Sequence, residues 1–242
     1  MNEIKSFKKG IADGLPICLG YLAVSFAFGI SAVGQGLSVF EALIISMTNV
    51  TSAGQLAAVP IIVSGGSFVE LAVAQLIINL RYSLMSVSLS QKLGKSVTLL
   101  DRFLISFVNT DEVFAVASAQ KGRVGKKYLY GLILTPYLGW SAGTLLGAAA
   151  GDILPRIISS ALGLAIFGMF VAIVVPDARK SKAVALCALS SAALSCLFRY
   201  TPFLSQIPSG FVIIICAVLA STVFALIFPI NPQTDEEKEE VR

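Results

Sequence analysis

The sequence predicts an all-α integral membrane protein, and three observations carry that prediction. Hydrophobic residues fill 56% of the 242 positions, and the mean hydropathy is +0.84. Charged residues are only 13%, about half the usual share of a soluble domain. The charges are also bunched, leaving uncharged runs at 15–40, 42–69, 128–151, 157–176 and 183–198. A helix needs about 20 apolar residues to cross about 30 Å of hydrocarbon, and several of these runs are long enough.

The chain contains about eight apolar segments. The first, 15–33, follows Lys5, Lys8 and Lys9, as a signal peptide would, but its length and the many runs after it make it the first transmembrane helix. Asp13 as N-cap and Pro16 in the first turn are expected to start it. Segment two, 40–63, carries polar "NVTSAGQ" (49–55) near its middle, with Asn49, Ser52, Gly54 and Gln55. Segment three, 69–90, contains "NLRYSLMS" (79–86). Segment four, 103–120, is interrupted by "NTDE" (109–112). Segment five, 129–151, places Gly139, Gly143, Gly147 and Gly151 at a strict four-residue period, which puts them on one helical face where another helix can approach closely. That helix can belong to this chain or to another. Pro136 is expected to kink the same segment. Segment six, 157–176, ends at Pro176, and Pro202 and Pro208 mark the turn between 183–200 and 209–229. The resulting regions are an N-terminal segment (1–12), a membrane domain (13–231) and a polar, acidic tail (232–242) expected to be disordered.

Basic residues set orientation, because short loops rich in Lys and Arg stay on the cytoplasmic side. The tail from Asp235 carries five acids and two bases, so the net charge of +4 conceals a larger basic excess elsewhere. The clusters are Lys5/Lys8/Lys9, Lys92/Lys95/Arg102, Lys121/Arg123/Lys126/Lys127 and Arg179/Lys180/Lys182. If all eight segments span, the cluster at 92–102 falls on the opposite side from the others. If segments two and four dip in and return, every cluster and both termini are cytoplasmic, with six full spans. The two dipping segments would then enter from opposite faces and meet near the midplane, as opposed broken segments do in many secondary transporters. Both readings, six spans or eight, stand at this point. "LPICLGY" (15–21) and "TPYLGW" (135–140) hint at an internal repeat.

Several chemistries find no support. The chain has no histidine, so a proton relay must use Asp or Glu. Its four cysteines, Cys18, Cys187, Cys196 and Cys216, sit in apolar segments without metal-ligand spacing. "LGKS" (93–96) lacks the first glycine of a phosphate loop, because position 89 is Leu. The nucleophile and base arrangement of a hydrolase is missing, so neither an enzyme nor a cofactor is expected. The basic excess is explained by loop orientation, without nucleic acid.

Glu41, Glu70 and Arg199 lie near segment ends, where headgroup-level solvation or snorkelling accounts for them; the charges deep inside apolar segments are Arg81, Asp111 and Glu112. A charge at the bilayer centre costs about 2.5–3.5 kcal/mol on insertion scales. Arg81 lies ten residues before Gln91 and Asp111 ten after Asp101, so both sit about 15 Å from the intervening loop if helical. Equal depth makes a pair of Arg81 with Asp111 or Glu112 possible, with Asn79, Tyr82, Asn109 and Thr110 supplying further hydrogen bonds. The pair could hold two segments together, or serve a substrate and a proton. Adjacent helical residues point about 100° apart, so Asp111 is expected to pair with Arg81 and Glu112 to handle a proton or an ammonium group.

These motifs resemble the AzlC family, the large subunit of two-component branched-chain amino acid exporters. "GIADGLPICLGYLAVSFAFG" (10–29), "SAGQLAAV" (52–59), "NLRYSLMS", "NTDEVFAVA" (109–117) and "PSGFVIIICAVLAST" (208–222) are similar to its motifs in order and spacing. Tyr82 stands where relatives often have His. The resemblance implies export of apolar amino acids across a bacterial-type inner membrane together with a small AzlD-type membrane subunit. The reading is thus a proton-coupled secondary transporter subunit. Its rival is a membrane scaffold or channel-like subunit whose charges are only structural.

Overall fold

The computed structural model describes residues 3–4, 6–151, 171, 174–176, 178–179 and 181–229. Segment six and the acidic tail therefore fall almost wholly outside the described residues. The chain divides into two units, Met1–Met169 and Phe170–Arg242. Five described helices are long and apolar enough to cross a membrane. The protein is an all-α membrane protein, as the composition predicts.

In the first unit the elements are β1 (Glu3–Ile4), α1 (Phe7–Gly34), α2 (Val39–Thr48), α3 (Ser52–Val63), α4 (Phe68–Lys92), α5 (Leu99–Ser106), α6 (Asp111–Ala119), β2 (Arg123–Val124) and α7 (Lys126–Ala150). The second unit contains the hairpin of α8 (Lys182–Tyr200) and α9 (Ser209–Ile227), with a single 3-10 turn, Leu204–Gln206, between Pro202 and Pro208.

Helix α1 starts earlier than its sequence suggests. Ser6, not Asp13, is the N-cap: its Oγ accepts from Lys9 N at 3.2 Å. Asp13 and Pro16 lie inside the helix. The reason is tertiary. The Asp13 carboxylate accepts from Lys9 Nζ (2.7 Å), Tyr128 Oη (2.8 Å) and Gln120 Nε2 (3.2 Å), partners worth more than one capped amide.

Segments two and four are each broken into two short helices. In segment two the helix stops at Asn49 and restarts after Thr51, whose hydroxyl caps Gly54 N at 3.4 Å. In segment four the helix ends at Phe107 and restarts after Thr110. Both breaks fall in the two polar stretches.

Connectivity decides where the halves go. β1 pairs in parallel with β2, Glu3 opposite Arg123 and Ile4 opposite Val124. Leu93 bridges to Val124, Gly94 N donates to Val124 O (2.8 Å), and Lys126 N donates to Ser96 Oγ (3.2 Å). The start of α1, the end of α4 and the start of α7 therefore lie at one end, called here the basic end. From it α1 runs 28 residues, about 42 Å, to the far end. Helix α4 must return from there. So α2–α3 enters and leaves at the far end, while α5–α6 enters and leaves at the basic end. Side-chain contacts agree. Tyr130 Oη donates to Asp101 Oδ1 (2.7 Å) where α5 starts, Asn109 Nδ2 donates to Ser86 Oγ (3.2 Å) at depth, and Gln120 reaches Asp13 back at the basic end.

The glycine face finds its partner within the chain. Helices α1 and α7 pack in parallel: Gly131 meets Phe7 and Gly10, Gly139 meets Cys18, Gly143 meets Leu22 and Ser25, and Gly147 meets Phe26. At Gly151 the approach is looser, and a Cβ would make only ordinary van der Waals contacts, with Val33 of α1 at 3.6 Å. On α1, Gly10 and Gly14 return the approach against Tyr128, Leu132 and Thr135. The stretches "LPICLGY" and "TPYLGW" thus lie side by side, running in the same direction.

Candidate functional site

The two breaks come together in the interior of the first unit. Tyr137 on α7 touches both: its hydroxyl donates to Met47 O at the end of α2 (3.2 Å), and its ring lies 6.3 Å from that of Phe107. Helices α3 and α6 begin at these breaks, so each break carries a helix N-terminus with a partial positive charge. Their first amides have no partner within the helix.

At the α6 break, Arg81 Nη1 of α4 lies 2.9 Å from Asp111 Oδ2. Tyr82 flanks the guanidinium, with its hydroxyl 3.3 Å from Nη2 and its ring centroid 4.9 Å from the guanidinium carbon. Both charged side chains are about half exposed on this face, at 50% and 44%. That leaves room for the pair to meet a ligand or another surface.

Glu112 turns the other way, as the 100° rule requires. Its carboxylate takes a short hydrogen bond from Tyr21 Oη of α1. The same hydroxyl lies 2.6 Å from Thr110 Oγ1. A phenol has one proton, so with Tyr21 donating to Glu112, Thr110 donates to Tyr21. This engagement explains why Thr110 makes no side-chain cap on α6. Trp140 of α7 holds the Tyr21 ring edge-on at 5.0 Å. The two adjacent acids therefore have separate partners on separate helices.

At the α3 break an amide cluster forms around Gln75 of α4. Asn49 Nδ2 and Asn79 Nδ2 both donate to Gln75 Oε1, at 3.0 and 3.2 Å, and Gln75 Nε2 donates to Gly54 O at 2.8 Å. Gly54 lets Gln75 approach closely, since a Cβ there would lie 2.5 Å from Gln75 Oε1. Gln55 is fully buried in the first turns of α3, and neither amide atom has a partner. Asn79 Oδ1, Asn109 Oδ1 and Trp140 Nε1 are likewise buried without one. Buried polar groups cost free energy unless bonded, so this region is chemically suited to a small polar ligand. Ser52 is partly buried in the first turn of α3.

Residue by residue, the structure joins Arg81, Tyr82 and Asp111 in one group. Thr110 and Glu112 form a second with Tyr21, and Asn49, Gly54 and Asn79 a third. Asn109 bonds to Ser86 instead of the charged pair. Sequence reading missed Tyr21, Gln75, Tyr137 and Trp140. Gln75, Asn79 and Tyr82 recur at i, i+4 and i+7, a polar stripe on α4 that periodicity could have exposed. The aromatic residues carried no such signal, because nothing local distinguishes them from packing residues. Among the described residues no cluster suited to a metal ion is present. Replacing Gln75 with Leu is expected to leave Asn49 and Asn79 unpaired and to destabilise the protein by roughly 1–3 kcal/mol, measured as a fall in the thermal midpoint in detergent.

The chain is similar to known membrane proteins. An uncharacterized membrane protein of Archaeoglobus fulgidus is 33% identical over 181 residues, 73% of this chain and 78% of that protein. The inner membrane protein YgaZ of Escherichia coli is 26% identical over 197 residues, covering 78% and 80%. An uncharacterized membrane protein of Helicobacter pylori is 26% identical over 156 residues, covering 63% and 68%. No solved structure matches. The family model described as AzlC protein matches residues 16–154, which include both broken segments, the Arg81–Asp111 pair and Glu112. With more than half of its length so matched, the chain belongs to the AzlC family.

Proposed function

We propose that this protein is the large subunit of a secondary transporter that exports branched-chain or related apolar amino acids, driven by a proton gradient. One observation supports the reading: two broken segments enter from opposite ends, and Tyr137 touches both breaks. That is the arrangement by which many transporters hold a substrate at the midplane. The roles follow from charge. The amino-acid carboxylate is drawn to the helix N-termini and to Arg81, which can share its guanidinium between Asp111 and a ligand. Glu112 receives the ammonium group or a proton, with Tyr21 as its hydrogen-bonding partner. The amides of Gln55, Asn79 and Asn49 line the opposing break and complete the polar shell. A small AzlD-type membrane subunit accompanies the chain. The half-exposed pair at Arg81 and the many apolar residues on the outer face of α4 are consistent with a surface that takes a neighbour.

For orientation we infer that the clustered Lys and Arg keep the basic end in the cytoplasm, with segments two and four re-entering instead of spanning. In a cysteine-free background, Lys95→Cys and Arg123→Cys are expected to react with a membrane-impermeant thiol reagent only after the inner face is opened. Labelling from opposite sides would overturn the re-entrant α5–α6 hairpin.

Flux of radiolabelled leucine in liposomes, with and without the small subunit and with an imposed proton gradient, tests the function. Gradient-dependent flux supports the reading; gradient-independent leakage of unrelated solutes points to a channel-like subunit. Tyr21→Phe removes the hydrogen bond to Glu112 while keeping the ring against Trp140. It is expected to fold and to shift the pH dependence of flux without abolishing it.

A further inference from the structure

We propose that a slot between α4 and α5 binds one acyl chain of an anionic phospholipid, with the headgroup phosphate on Arg102. The slot has a volume of about 200 Å³. It arises from residue size. Ser86, Ser90 and Ser106 occupy facing positions where larger side chains would interdigitate, and the gap they leave is walled by Leu89, Leu93, Leu99, Phe103 and Ile105.

Its polarity is graded. Ser90 Oγ donates to Val87 O at 2.6 Å and Ser106 Oγ to Phe103 O at 2.9 Å, so both hydroxyls are used by their own helices. Ser86 is taken by Asn109 at the inner end. The walls are therefore apolar except at the inner end, where Ser86 and Asn109 lie. Arg102 lines the mouth, one turn from the loop 93–98 at the basic end. It makes no ion pair among the described residues.

The slot faces outward, because Leu99 and Phe103 are 72% and 68% exposed, as are Leu100 and Leu104 beside them at 68% and 50%. In a membrane that face meets lipid. A cation at headgroup level above a narrow apolar slot fits an anionic lipid by charge and by shape, and basic sites between membrane helices on the cytoplasmic side bind anionic headgroups in this way. A chain seated there would also cover α5 close to the Asn109 break, linking lipid composition to the hairpin that carries Asp111 and Glu112.

The test uses the full chain purified in detergent, with phosphatidylglycerol and phosphatidylcholine of the same acyl length added separately. Binding is read by native mass spectrometry and stability by the thermal midpoint. Phosphatidylglycerol is expected to bind more tightly and to raise the midpoint more, by mass action. Arg102→Gln should weaken that binding about fivefold, the ~1 kcal/mol one basic residue contributes at an anionic surface. Arg102→Lys should retain most of it. Ser90→Leu fills the slot and should remove the stabilisation by phosphatidylglycerol while Arg102 is still present. Equal binding of the two lipids overturns the proposal, as does full phosphatidylglycerol binding by Arg102→Gln or Ser90→Leu. Loss of a co-purifying membrane protein in Ser90→Leu, with lipid binding intact, would make the slot a protein seam and overturn it equally.

Discussion

Gly147→Leu and Gly143→Leu are expected to abolish folding of the first unit or to destabilise it by about 3 kcal/mol or more, at the upper end of the range for overpacking. The reason is the backbone-to-backbone approach of α1 and α7. A Cβ at Gly147 would collide with the Phe26 carbonyl, and one at Gly143 with the Leu22 carbonyl. Neither obstacle is a flexible side chain that could turn away. Separating the helices would also disturb the Tyr21–Trp140 contact and the Ser46–Thr144 hydrogen bond of 2.6 Å, and so would spread to the centre. Gly151→Leu is the control, since the nearest atom to its Cβ would lie 3.4 Å away. Thermal midpoints of the three variants in detergent check the prediction. Normal midpoints for both Gly143→Leu and Gly147→Leu would show that the two helices do not pack as described.

The second large effect is on transport, where Asp111 and Glu112 are expected to separate. Removing one member of a fully buried ion pair costs roughly 3–5 kcal/mol. Arg81 and Asp111 are half exposed, so Asp111→Asn is expected to cost a fraction of that, about 1–2 kcal/mol, between the buried and surface cases. Arg81→Gln combined with Asp111→Asn should recover the stability, because no charge is left unpaired, but not the flux. Glu112→Gln keeps an acceptor for Tyr21 and should fold normally. It should lose the pH dependence of flux and fall about tenfold or more in rate under a proton gradient, the effect of ~1.4 kcal/mol at the substrate or proton. Thermal midpoints and pH-dependent liposome flux on the same three preparations decide it. Unchanged pH dependence in Glu112→Gln, together with full stability in Asp111→Asn, would sink the division of labour between the two acids.

Much of the local architecture was legible in the residues. Uncharged runs located the long helices, and Pro202 with Pro208 located the last turn. The polar stretches at 49–55 and 109–112 located the two breaks, because "NVTSAG" supplies the Thr51 cap and both stretches supply hydrogen-bonding side chains in mid-segment. Equal depth along α4 and segment four anticipated the Arg81–Asp111 pair, which lies at 2.9 Å. The start of α1 was misplaced because Asp13 and Pro16 imitate a helix beginning. Ser6 is an equally good cap, and Asp13 is drawn instead to Lys9, Tyr128 and Gln120. The site was legible in its charges and not in its supports. Arg, Asp and Glu are conspicuous in an apolar segment, whereas Tyr21, Tyr137 and Trp140 resemble packing residues until their hydroxyls and rings are seen to touch the breaks.

The sequence by itself determined what is local: which stretches are apolar enough to cross a membrane, where helices must stop, and which face of α7 admits a close neighbour. These depend on side-chain chemistry within a few turns of helix. Only the tertiary structure decided that the neighbour is α1, that the two acids have different partners, and that the α5–α6 hairpin returns to the end it came from. A spanning helix pair and a re-entrant one have the same composition, so hydropathy cannot separate them. What separates them is the pairing of Glu3–Ile4 and Leu93 with Arg123–Val124. Those contacts join residues 31 and 120 positions apart, and their energy depends on where the whole chain has placed them.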